Sequence, residues 1–466
     1  MLKLKNMNMK KSLRIVIVSE EGGQFFYYKR TIEELLKSGH SISFLIGKRE
    51  DRERVLQALN KLKRAHPDFE AGQAIYAHSF LNMALVKRQF ATYRHLLRSL
   101  GSSRFYTRRV IIYLPYFLRF SVRHNLFYIN SFIKSGIFGK WLEYVEEKIP
   151  PDKNIITQLR DLHTDVLITS TGDLSSSSPE IDYLKSAKAI GIPSVLSVMG
   201  WDHLYIKVSI QMMPDVLLVW NKIQAEDAEK NHGVPRNNIK VVGAAFFDQW
   251  FDARKPSLRE EFCACNDLDP KKPILTYLSS SGIFGEEIEH LKKIYKAVEG
   301  LGIQLVVRPY PSDMKKRIYK RRDRFYKSPE SAGIIKLVPL RASRPNTEAD
   351  AQLFYDTIYH SFAYIGIGNT GMIDGLLIGR PGITLLDDHY DEIQSKSPHF
   401  RHLLLAGALH TAKDVESLRR IIKDLQIGKD SLESKRRDFI KEYLRPMGIK
   451  FPVAQLIADE IENLPK

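Results

Sequence analysis

The chain has 466 residues, too many for one hydrophobic core and enough for two large domains, and its 44% apolar content with 21 Tyr and 23 Phe excludes a disordered protein. Its two cysteines, Cys263 and Cys265, are separated by one residue and have no further Cys to join, which excludes a disulfide-stapled fold and a cysteine zinc site. The net charge of +17 points to an anionic partner, and the absence of RNP, KH or zinc-finger patterns argues against nucleic acid as that partner.

The N-terminal stretch is basic, but its apolar run, Leu13 to Val18, is short and is followed at once by Glu20 and Glu21. It therefore reads as a first β-strand, Arg14 to Ser19, and not as a signal peptide. A helix from Phe25 to Ser38 and a strand from Ser41 to Ile46 follow. The link Ser19-Glu20-Glu21-Gly22-Gly23 sits at a strand end, where Glu21 can accept a proton from a substrate hydroxyl or can simply favour the helix dipole.

From Ala71 to Leu142 there is no Asp or Glu, yet the window holds 11 Lys and Arg, among them Arg104, Arg108, Arg109 and Arg119. They alternate with aromatic residues such as Phe105, Tyr106, Tyr116 and Phe117. That composition suits an anionic lipid surface. A helical hairpin with solvated arginines is the plain structural alternative. Helices are expected between about residues 75 and 148. No run reaches the roughly 18 apolar residues that span a bilayer.

Alternation then resumes with strand Val166 to Ser170, helix Pro179 to Ile190, strands Ser194 to Val198 and Val216 to Trp220, helix Ile223 to Asn231, and strand Ile239 to Val242. Apolar pentamers separated by helices predict a parallel sheet covered on both faces. Asp173 follows one strand end, and Gly200-Trp201-Asp202-His203 follows another. Asp173, Asp202 and His203 are candidate acid–base groups, or merely a cap and a surface turn.

Charge and proline cluster between Asp252 and Pro273, a predicted linker over 251–272. A second alternating series follows: strand Ile274 to Leu278, helix Glu286 to Leu301 and strand Gln304 to Arg308. The turn Ser279-Ser280-Ser281-Gly282 offers hydroxyls and amides to an anion. Arg308, fixed by Pro309 and Pro311, suits a phosphate or a local carboxylate. The most informative stretch is Ser361 to Leu386: a strand, the turn Gly368-Asn369-Thr370-Gly371, a helix and a second strand. Such a turn directs unpaired amides at a bound anion. Asp374 lies inside its helix, and Asp387-Asp388-His389 reads as a substrate-hydroxyl loop more than a Mg²⁺ site. No metal-ligand spacing is found.

These residues resemble a known superfamily. Asp215 to Gln224, His232 to Pro235 and Ile239 to Asp248 resemble the end of the N-terminal domain in GT-B glycosyltransferases, and are similar to the non-hydrolysing UDP-N-acetylglucosamine 2-epimerases that share that fold. Val306 to Pro311 looks like the V-R-x-H-P strand of bacterial surface-polysaccharide and glycerophosphate transferases, with Tyr310 where His is usual. Phe362 to Pro381 resembles the donor-phosphate segment, with Asn369 in place of the more usual Ser. Trp201-Asp202-His203 and Lys207 resemble the W-D-N-L-T-x-K stretch of surface-carbohydrate transferases.

The resemblance implies an α/β protein with two Rossmann-like, doubly wound domains facing a cleft. Residues 1–250 would bind the acceptor and carry the basic aromatic insertion; 273–430 would bind a nucleotide-activated donor; and 431–466 would form a helical tail packing back on the first domain. It implies a metal-independent glycosyltransferase without a cofactor, whose substrate is a nucleotide-sugar. The acceptor would be a surface polysaccharide or lipid-linked glycan at the cytoplasmic face of the membrane. The donor set would be Ser279, Ser280, Ser281, Gly282, Arg308, Gly368, Asn369, Thr370, Gly371 and Asp374, with the base among Glu21, Asp173, Asp202 and His203. The alternatives are a UDP-sugar 2-epimerase or glycerophosphotransferase of the same fold, and a non-catalytic nucleotide-sugar or lipid-binding protein.

Overall fold

The computed structural model describes residues 12–48, 53–76, 150–170, 178–207, 212–252, 254–280, 287–310, 317–338 and 348–464, together with Tyr144, Lys148 and Ile210. The chain forms two units. Among the described residues, the first runs to Asp248 and regains Arg445 onward; the second runs from Gln249 to Leu444.

Among the described residues the first unit forms a seven-stranded, all-parallel sheet. Its strands are β1 (Arg14–Ser19), β2 (Ser41–Ile46), β3 (Phe69–Gln73), β4 (Val166–Ser170), β5 (Ser194–Ser197), β6 (Val216–Val219) and β7 (Ile239–Val241). They lie in the order β3-β2-β1-β4-β5-β6-β7. Every residue of β1 after Arg14 is buried because successive side chains point to opposite, equally covered faces. Ile15 and Ile17 join Phe25, Ile32 and Phe44 in one core, and Val16 and Val18 join Leu167, Tyr183 and Leu217 in the other.

Helix Val453–Glu462 belongs to this unit, with Val453, Ile457 and Ile461 packed in the same core as Phe25 and Ile32. The buried carboxylate of Asp248 holds that return, pairing with Arg445 and accepting the Ala454 N–H at 2.9 Å. His40 completes the seam: its Nδ1 accepts the Leu13 N–H at 3.1 Å, and Nε2 meets Glu462 at 3.1 Å. Only the end of the 431–466 segment therefore packs on the first unit; helix Glu433–Phe439 lies in the second.

Among the described residues the second unit forms a six-stranded parallel sheet of β8 (Ile274–Leu278), β9 (Gln304–Arg308), β10 (Lys336–Leu337), β11 (Ala363–Gly366), β12 (Gly382–Leu385) and β13 (Leu409–Ala412), ordered β10-β9-β8-β11-β12-β13. One face packs Leu275, Tyr277, Val307 and Ile365 together. The other puts Ile274 and Val306 against Phe262, Cys263 and Leu268. The segment 251–272 thus differs from a linker: its helix Arg259–Cys265 and its buried apolar residues are part of this unit. In each sheet the strand order reverses once, between β1 and β4 and between β8 and β11. Ligands of doubly wound sheets bind outside the carboxyl ends of strands at that reversal.

Candidate functional site

In the second unit the reversal point carries the turn 368–371. Gly368 adopts φ +49°, a left-handed conformation that glycine takes without a Cβ penalty. Asn369 donates from Nδ2 to the Leu278 carbonyl at 3.0 Å, tying the end of β11 to the end of β8. Its side chain is thereby a brace. The carbonyls of Asn369 and Thr370 already accept from Met372 and Ile373, so helix Gly371–Leu377 starts at the turn. Thr370 is exposed, and its hydroxyl caps nothing in the helix. The N–H groups of Asn369, Thr370 and Gly371 have no backbone acceptor among the described residues, as expected of a first helical turn.

Arg308 ends β9. Its guanidinium lies 4.3 Å from the centre of the Phe354 ring. A Cβ built on Gly371 would stand 4.0 Å from the same ring, so the arginine and the glycine turn meet on Phe354. Burial lowers the Arg308 pKa to about 10, with Asp374 and Asp350 opposing that shift, so the cation persists at neutral pH. Among the described residues the Arg308 side chain makes no hydrogen bond and no ion pair. The alternative in which it merely pairs with a local carboxylate is not what these residues adopt.

Two parts of the expected donor set stand otherwise. Ser279 and Ser280 are buried and already hold an anion, the carboxylate of Glu287. Glu287 accepts from Ser279 Oγ at 2.6 Å, Ser280 N at 2.6 Å, Ser280 Oγ at 2.8 Å and Tyr277 Oη at 2.9 Å, and pairs with buried Arg322. Ser279 and Ser280 are therefore organised around a carboxylate of their own chain. Asp374 is likewise buried and accepts the Trp250 indole N–H at 2.6 Å. It acts on Arg308 as a nearby charge, not as an exposed contact for a ribose. Asp387 caps the helix Asp388–Ser395 and pairs with Lys293 at 2.6 Å.

In the first unit the β1/β4 reversal gathers carboxylates. Glu21 is exposed, 3.4 Å from Lys48. Its neighbour Glu20 is buried and pairs with the same Lys48 at 2.6 Å. Burial disfavours the Lys48 cation, but Glu20 and Glu21 outweigh it and raise its pKa. Behind them Glu180, the first residue of helix Glu180–Ala189, accepts the Glu20 N–H at 3.1 Å and the Ser170 hydroxyl at 2.8 Å. Burial lifts its carboxyl to about 8; the hydrogen bonds oppose that shift and the charge of Glu20 adds to it. Sequence reasoning missed Glu180, because an acid at a helix start reads as a dipole partner. Asp202 and His203 are half-buried on the turn after β5, where Gly200 makes room: a Cβ there would lie 2.2 Å from the His203 ring. Asp173, Ser281, Gly282, Arg104, Arg108, Arg109 and Arg119 lie outside the described residues. Among the described residues no cluster of metal-ligating side chains occurs, and no helix is long and apolar enough to cross a membrane.

No protein-family model matches the chain, and no curated protein matches it in sequence. Solved structures do match over nearly the whole length. The UDP-GlcNAc 2-epimerase from Neisseria meningitidis bound to UDP-GlcNAc superposes with a TM-score of 0.56 at 11% identity, covering 96% of this chain and 98% of that one. The glycosyltransferase from Rickettsia africae gives 0.54 at 11%, covering 98% and 100%. The UDP-GlcNAc 2-epimerase from Methanocaldococcus jannaschii gives 0.54 at 12%, covering 96% and 98%. The fold is GT-B. The two Rossmann-like halves expected from the strand pattern are those of that fold.

Proposed function

We propose that the chain is a glycosyltransferase that takes a sugar from a nucleotide-activated donor, with the donor's phosphates held by the second unit. The observation that carries this reading is Arg308: a guanidinium at a strand's carboxyl end, stacked on Phe354, beside a glycine turn with unengaged amides and unpartnered among the described residues. A departing diphosphate is an anion that such a cation and helix amides stabilise, more so as charge develops in the transition state. The revised donor set is Arg308, Gly368, Thr370 and Gly371, with Asn369, Asp374, Ser279 and Ser280 as supporting structure. The acceptor reading rests on the acid-free basic aromatic stretch from Ala71 to Leu142, whose composition favours a lipid-linked or polysaccharide acceptor at the cytoplasmic face of a membrane.

A second reading is a UDP-sugar 2-epimerase. The buried carboxylates Glu20 and Glu180 favour it, since epimerisation needs acid–base groups, and two of the structures above carry that name. Thermal shift with UDP-, GDP-, CMP- and CDP-linked sugars is the first test, because a ligand that binds only the folded protein raises its melting temperature. The responding donor is then incubated with the protein. Acceptor-dependent release of the nucleotide supports the transferase, and an acceptor-independent change at C2 of the sugar supports the epimerase. Failure of every donor to stabilise the protein refutes both.

A further inference from the structure

Trp250 has no place in the donor set, yet it touches two of the groups that surround Arg308. Its indole N–H donates to Oδ1 of Asp374 at 2.6 Å, and its ring lies 5.5 Å from that of Phe354, on which the Arg308 guanidinium rests. Trp250, Asp374 and Phe354 are all buried. Packing holds the indole in place. Tyr355 stacks on it with ring centres 6.5 Å apart, and the Arg254 guanidinium lies 5.8 Å from its centre. Arg254 is held in turn by Glu348 at 2.6 Å and Gln352 at 3.1 Å. One helix, Glu348–Tyr359, thus supplies most of the contacts that set where the N–H points.

Asp374 has a second group within reach of its charge. Against the burial that lowers the Arg308 pKa, Asp374 is the larger of two opposing charges and Asp350 the smaller. A buried carboxylate beside a guanidinium ordinarily forms the bidentate pair that the two planar groups fit. Here that pair is not made: the Arg308 side chain has no ion pair among the described residues, and Oδ1 of Asp374 is engaged by Trp250. A guanidinium paired with Asp374 would have to give up that carboxylate before taking a phosphate, and an open one does not.

We propose that Trp250 is a positioning residue of the donor site: its N–H occupies Asp374, withholds that carboxylate from Arg308, and leaves the guanidinium open to the diphosphate of a nucleotide. The diphosphate rests on the reading of this unit as the donor site; the withholding of Asp374 does not. Phe in place of Trp250 keeps an aromatic ring against Phe354 but has no N–H. Asp374, short of that donor, then turns to Arg308 and competes with the ligand.

Isothermal titration of the full chain with UDP, GDP, CDP and pyrophosphate is the test. Trp250→Phe should weaken the ligand that binds wild type best by roughly tenfold, as expected for a hydrogen bond to a charged group. Adding Asp374→Asn, which keeps an acceptor and cannot form an ion pair, should recover most of that loss. A ring needed only for packing would not be rescued by a change on Asp374. Wild-type affinity in Trp250→Phe, or a double variant no better than the single one, overturns the proposal. If Trp250→Phe does not fold, benzothienylalanine at position 250, which has the indole's shape and sulfur in place of the N–H, is judged by the same two criteria. If none of the four ligands binds wild type, the donor reading fails, and urea unfolding decides the role of Trp250 by itself. Coupling between Arg308→Gln and Asp374→Asn that is small with Trp250 present and grows in the Trp250→Phe background supports it. Equal coupling in both backgrounds overturns it.

Discussion

Replacing Glu180 by Gln changes how the protein's stability depends on pH. Burial raises the Glu180 pKa from an ordinary 4.5 to about 8, so between those values the folded chain keeps a proton that the unfolded chain has released. Stability therefore falls as pH rises through this window and is level beyond it. At roughly 1.4 kcal/mol per pH unit the whole fall amounts to on the order of 5 kcal/mol, an upper figure for so buried a group. Gln resembles the protonated acid, still accepts from Glu20 N–H and Ser170, and has no proton to lose. Urea unfolding followed by circular dichroism, at a pH near 5 and again above 8, should show similar midpoints at the lower pH and a clear advantage for Glu180→Gln at the higher one. If both proteins lose stability in parallel, Glu180 is ionised in the folded state and the reasoning fails.

Arg308→Ala should weaken donor binding by about 1–3 kcal/mol without unfolding the chain, and Arg308→Lys should restore only part of it, since an ammonium does not reproduce the planar stack on Phe354; isothermal titration measures both. Glu287→Ala removes the carboxylate that pairs with buried Arg322 and takes away the acceptor of Ser279, Ser280 and Tyr277, so the second unit should lose about 3–5 kcal/mol in urea unfolding. Gly375→Ala puts a Cβ 2.4 Å from the buried ring of Tyr364, and its melting temperature should drop by the equivalent of about 1–3 kcal/mol. An unchanged melting temperature would mean that the helix Gly371–Leu377 yields easily.

Strands flanked by turn residues were legible: β1, β2, β4, β8 and β9 end where the apolar runs end. β3 was not, because only Phe69 of its five residues is buried and no alternation marks it. β10 has two residues, too few for a pattern. The glycine turn and Arg308 were readable because glycine and proline punctuate strand ends. What those residues touch was not readable. Asn369 reaches Leu278 across 91 residues and Trp250 reaches Asp374 across 124, distances over which spacing carries no information. Glu180 escaped for the same reason, since its burial comes from packing against a segment 160 residues earlier. Ser279 and Ser280 do hold an anion, but spacing alone could not tell that it is Glu287, supplied by the helix that follows them.

The helix Val453–Glu462 gives the order of assembly on the ribosome a direction opposite to that of the chain. The second unit has all its strands once Ala412 has emerged and all its residues at Leu444. The first unit, though made first, still lacks Arg445 for Asp248, Glu462 for His40, and the Ile457 and Ile461 side chains that cover Leu35 and Leu36. A nascent chain must hold that apolar surface exposed through several hundred residues of synthesis, and a stop codon placed before Val453 would strand it there. The half that begins the chain is the half that finishes last.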